Sequence, residues 1–83
     1  MVYTYKTNGT CSRKIEIELD GDTIKDVRFE GGCNGNLKGL AALTAGMKVD
    51  EVIGKLSGIR CGLRRTSCPD QLALALKAYK ESL

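Results

Sequence analysis

Lys14-Ile15-Glu16-Ile17-Glu18-Leu19-Asp20-Gly21 decides the fold of this chain. Apolar and charged residues alternate from Lys14 to Leu19. A strand shows successive side chains to opposite faces, so Ile15, Ile17 and Leu19 face a core and the charges face water. Asp20-Gly21 then signals a tight hairpin. Ile24 to Phe29 returns as the next strand. Val27 and Phe29 share a face there, while Ile24 falls on the other. A bulge or a loose strand start accounts for that parity break.

Outward from this hairpin, Val2 to Tyr5 reads as a short first strand, and 6–10 as a loop that delivers Cys11. After Phe29, Gly31-Gly32 ends the sheet. Asn34 or Asn36 caps a helix carrying Leu37, Leu40, Ala41 and Thr44 on one side, and Gly46 stops it. Val49, Val52, Ile53 and Leu56 recur at i, i+3, i+4, i+7, which predicts a second helix ending at Ser57-Gly58. Ile59 to Ser67 is a basic loop holding Cys61. Pro69 suits the first turn of a last helix running to about Glu81, with Leu72, Leu76 and Tyr79 inward. Strands come first and helices after. That order predicts an α+β fold: an antiparallel sheet of about three strands with three helices mainly on one face.

The chain has 83 residues, enough for one domain spanning 1–83 and a modest core. Domains this small often carry a staple such as a disulfide, a metal or a second subunit. The net charge of +3 is too slight to imply nucleic acid. The N-terminus lacks the long apolar stretch of a signal peptide, and no segment reads as membrane-spanning. The expectation is a cytoplasmic protein, where disulfides are rare.

Four cysteines and no histidine carry the most chemical information. Cys33 lies in Gly31-Gly32-Cys33-Asn34-Gly35, Cys61 in Arg60-Cys61-Gly62, and Cys68 in Thr66-Ser67-Cys68-Pro69-Asp70. Structural cysteines usually hide in apolar runs. These sit at element ends, where backbone N–H groups can meet a sulfur. The spacing C-x21-C-x27-C-x6-C contains no C-x2-C pair, which excludes zinc-ribbon and thioredoxin-like motifs. Convergence has to come through the fold. Cys11 enters one strand and Cys33 leaves its antiparallel neighbour, so both lie near one sheet end. Pro69 as first helical residue puts Cys68 at the N-cap, where orphan N–H groups and the helix dipole favour negative sulfur. Arg60, Arg64 and Arg65 are either a solvated loop or a patch for phosphate or an acidic partner. Ser67-x-x-Asp70 reads equally as a simple capping pair. Cys61, between Arg and Gly, is the likeliest bystander.

The string Thr66-Ser67-Cys68-Pro69-Asp70 resembles the signature that names the TSCPD domain family. Its small stand-alone members look like this chain throughout, including Gly9-Thr10-Cys11-Ser12, Gly31 to Asn36 and Ile59-Arg60-Cys61-Gly62. That domain also occurs at the C-terminus of cobalamin-dependent ribonucleotide reductases. The resemblance implies a link to deoxynucleotide synthesis, though the chain is far too short for a reductase barrel. A second resemblance is to U-type iron–sulfur cluster scaffolds. Cys11 ahead of a strand, Gly32-Cys33 after a hairpin and Ser67-Cys68 opening the final helix are similar in order to that three-cysteine site. The chain departs from it at Arg13, where the scaffolds have an acidic residue, and at Ser67, where they have histidine. An acidic group there helps make a cluster labile, so Arg13 in its place, with Cys61 as a candidate fourth thiolate, implies a more permanent site.

Together these readings predict a domain that binds zinc or an iron–sulfur cluster through Cys11, Cys33, Cys61 and Cys68, with no catalytic residue of its own. Zinc suits four thiolates in a closed tetrahedron, and a cluster suits them equally. The resemblances imply ribonucleotide reductase or an iron–sulfur assembly protein as partner, and a homodimer is compatible with the size. Two alternatives stay open. One is a thiol redox module of ribonucleoside-diphosphate reductase using Cys61 and Cys68. The other is a non-catalytic interaction domain.

Overall fold

The computed structural model describes residues 1–7, 12–31, 34–60 and 66–82. Strands β1 (Val2–Lys6), β2 (Ser12–Asp20) and β3 (Thr23–Gly31) precede helices α1 (Asn34–Thr44), α2 (Val49–Leu56) and α3 (Cys68–Glu81). The strands form one antiparallel sheet in the order β1-β2-β3. This is the expected α+β architecture.

The alternation in β2 works as the sequence implies. Ile15, Ile17 and Leu19 are buried, while Lys14, Glu16 and Glu18 stay partly exposed on the other face. Asp20 faces Thr23, which leaves Gly21-Asp22 as a two-residue loop. Gly21 has φ +61°, a conformation that glycine adopts without a Cβ penalty. The parity break in β3 is a bulge. Glu18 faces Asp26 and Leu19 faces Ile24, so Lys25 is the extra residue. The bulge turns Ile24 back to the core, where it is buried with Val27.

Helix α1 lies along β3, with Leu37 and Thr44 buried on its inner side. The link from α1 to α2 then zips onto the start of β3. Gly46 N donates to Ile24 O (2.7 Å), Ile24 N to Met47 O (2.9 Å) and Val49 N to Asp22 O (2.8 Å). These bonds satisfy backbone groups at one sheet edge that would otherwise need water.

Helices α2 and α3 pack antiparallel. Lys80 of α3 pairs with Asp50 in the first turn of α2. At the opposite end, Gly58 just beyond α2 donates to Asp70 in the first turn of α3 (2.7 Å). Val49, Val52, Leu72, Ala75, Leu76 and Tyr79 complete the core against Ile15, Ile17 and Leu19. The Tyr79 hydroxyl donates to Gly21 O (2.9 Å), and its ring meets Tyr3 edge-on with centroids 5.7 Å apart. The C-terminal end of α3 is thereby anchored at the β2–β3 hairpin. No helix among the described residues is long and apolar enough to cross a membrane.

Candidate metal centre

Helix α3 opens with Cys68, which is half-buried. Cys11, Cys33 and Cys61 lie outside the described residues, as do Arg64 and Arg65. The flanks of Cys11 and Cys33 are described. Ser12 faces Gly31 across the β2–β3 ladder. The strand end that follows Cys11 and the strand end that precedes Cys33 are therefore neighbours. Helix α1 begins at Asn34, so Asn34 and Asn36 both belong to its first turn. Among the described residues, no three His, Cys, Asp or Glu side chains gather as a metal site. Arg60 is exposed.

The Thr66-Ser67-Cys68-Pro69-Asp70 string forms a hydrogen-bonded clamp. Ser67 Oγ accepts from Asp70 N (3.1 Å) and donates to Ile59 O (2.5 Å). The Asp70 carboxylate accepts from Gly58 N (2.7 Å) and from Thr66 Oγ1 (2.5 Å). Gln71 Nε2 donates to Thr66 Oγ1 (3.0 Å). Ser67 and Gln71 are buried, where an unpaired polar group is costly, while Gly58 and Ile59 form the exposed rim of the clamp. The clamp ties residues 58–59 to residues 66–70. Cys68 lies within the second of these stretches.

One sequence expectation needs correcting here. The N-cap of α3 is Ser67, not Cys68. A hydroxyl accepts a backbone N–H far better than a thiol does, so the helix starts one residue earlier. Pro69 still sits in the first turn, where its missing N–H costs nothing. Cys68 thus falls in the first turn rather than at the cap. Tyr79, eleven residues on, holds the far end of α3 at the hairpin. At 1.5 Å per residue, Cys68 lies ~16 Å along the helix from it.

The Ser67–Asp70 capping pair was legible from its i, i+3 spacing. The parts played by Gly58 and Ile59 were not, because their bonds link segments that meet only in the folded chain. A shallow cleft between β3 and α1, lined by Val27, Phe29, Gly31, Leu37 and Ala41, opens at the Gly31 end of the sheet.

A three-stranded antiparallel sheet, three helices after it and a cysteine in the first turn of a clamped helix define a small cysteine-bearing α+β domain. The model of the TSCPD domain matches residues 2–80, which takes in the whole sheet and nearly all of α3. The chain belongs to the TSCPD domain family. No protein of curated function and no solved structure matches it significantly.

Proposed function

We propose that this domain binds a metal ion or iron–sulfur cluster on cysteine thiolates. Cys11, Cys33 and Cys68 are its core ligands and Cys61 is the fourth. The observation that carries this reading is the pairing of Ser12 with Gly31. It closes, at one sheet end, the two strands that border Cys11 and Cys33. Cys68 supports it, placed in a first helical turn whose cap is already supplied by Ser67. The donor chemistry also fits. A chain with four cysteines and no histidine can offer four thiolates, the set taken by closed zinc sites and by clusters. Zinc would supply a staple for a small core, and a cluster would supply one-electron chemistry. This reading puts the domain in the cytoplasm, where thiols stay reduced. The family resemblance further suggests an accessory role beside ribonucleotide reduction.

The test is elemental analysis and a UV–visible spectrum after anaerobic purification, with thiol counting on the same sample. About one zinc per chain, or sulfide-to-iron charge-transfer absorption, is the expected result. Cys68→Ala should lower that metal content at unchanged fold. Metal-free protein with four titratable thiols, which also fails to take up zinc or a cluster on reconstitution, would overturn the proposal. A metal-free protein that forms a Cys61–Cys68 disulfide under mild oxidation would overturn it in favour of the thiol module.

A further inference from the structure

The sheet treats its two edges differently. The start of β3 is covered by the α1–α2 link through Gly46, Met47 and Val49, and Lys25 forms a bulge there. Strand β1, at the other edge, pairs with β2 without any register shift. Among the described residues, no strand lies along its outer side. Its guards against edge pairing are its five-residue length and Lys6; it has no proline, no bulge and no inward-pointing charge.

The direction of its backbone groups follows from the ladder. Met1 and Leu19 exchange both backbone bonds, at 3.1 and 2.8 Å. Thr7 N donates to Arg13 O at the other end (3.0 Å). In an antiparallel pair, bonded and non-bonded positions alternate. Tyr3 and Tyr5 therefore bond to β2. Val2, Thr4 and Lys6 aim their N–H and C=O groups at the open edge.

We propose that this edge pairs with β1 of a second copy of the chain, antiparallel and centred on Thr4. The stretch Val2-Tyr3-Thr4-Tyr5-Lys6 is nearly a palindrome about Thr4, and a two-fold axis requires a self-complementary patch. In this register, Thr4 faces the partner's Thr4 and Val2 faces the partner's Lys6. Each facing pair exchanges two backbone bonds. Tyr3 meets the partner's Tyr5 at the closer, non-bonded position, on the face turned to the helices. Both tyrosines are half-buried in one chain, so a second copy would cover the remainder.

Charge singles out a second copy as occupant. Lys6 sits directly opposite Lys14, a like-charge pairing within one chain. Among the described residues, neither Lys6 nor Glu18 joins an ion pair. Glu18 faces Val2 across the β1–β2 ladder. The proposed register puts Lys6 beside the partner's Val2 and two strands from the partner's Glu18. That separation, ~9.6 Å, lies within the combined reach of the two side chains. The symmetry repeats the pair.

A five-residue edge is a small interface, so the dimer is weak, with half-association between about 10 μM and 1 mM. Sedimentation equilibrium over that range, at matched metal content, should show a reversible dimer. Thr4→Lys puts like charges at the centre and should lower the association constant at least about tenfold. Thr4→Val keeps the β-branched side chain and should stay within about threefold. Circular dichroism checks that both variants are folded. In amide exchange, Val2, Thr4 and Lys6 should gain protection with concentration while Tyr3 and Tyr5 do not change. A chain that stays monomeric at 1 mM would overturn the proposal. So would a dimer that survives Thr4→Lys, or protection that rises at another surface.

Discussion

Replacing Ser67 by Ala tests whether the clamp holds α3 and the segment before it. Ser67 is 4% exposed and makes two bonds through one oxygen. Losing an N-cap acceptor costs about 1 kcal/mol. Losing the bond to Ile59 O costs about 0.5–1.5 kcal/mol. The lower half of that second range applies, because Ile59 is 42% exposed and water can replace the donor. The sum is ~2 kcal/mol. In a domain of this size each kcal/mol lowers Tm by roughly 4–8 °C, so the expected fall is about 8–16 °C. Thermal and urea unfolding followed by circular dichroism at 222 nm would measure it at equal metal content. Ser57→Ala is the control, since Ser57 is exposed and follows α2 without a comparable buried bond, and it should change stability by less than about 0.5 kcal/mol. If Ser67→Ala is as mild as that control, the clamp does not anchor the helix.

Gly39→Ala should stabilise the domain by about 0.5–1 kcal/mol in the same assay. The site is exposed inside α1, and an added Cβ would meet nothing within 4 Å. Asp22→Asn should flatten the acid limb of stability against pH. The hydrogen bond and charge of Lys48 hold the Asp22 carboxyl below its ordinary range. Its folded value is thus below its unfolded one. The stabilisation is present above about pH 4 and is lost as pH falls through the lower folded value. The pair is exposed, so the effect is small and should fade with added salt. Urea midpoints from pH 2 to 6 would show it.

The hairpin and the helices were legible because their signals are local. Ile15, Ile17 and Leu19 alternate with charges, and all three are buried. Val49, Val52, Ile53 and Leu56 recur at helical spacing, and α2 occupies that stretch. The bulge was legible as a conflict of parity between Ile24 and Val27, although its position at Lys25 depends on the pairing with Glu18 and Leu19. The start of α3 was misplaced by one residue. Proline allows several positions in a first turn, and only the Asp70 N–H shows that Ser67 is the acceptor.

The sequence by itself determined the order of elements and the inward faces of β2, β3 and the helices. These depend on periodicity and residue type, which a linear chain carries in full. The tertiary structure decided the rest. It showed that Ser67 and Asp70 lock onto Ile59 and Gly58, and that Tyr79 reaches 58 residues back to the Gly21 carbonyl. It also showed that one sheet edge is zipped to the α1–α2 link while the other stays open. Each of these is a hydrogen bond, or an opening for one, between segments distant in sequence. Such bonds need donor and acceptor within about 3 Å and aligned, a condition that only the packed chain sets.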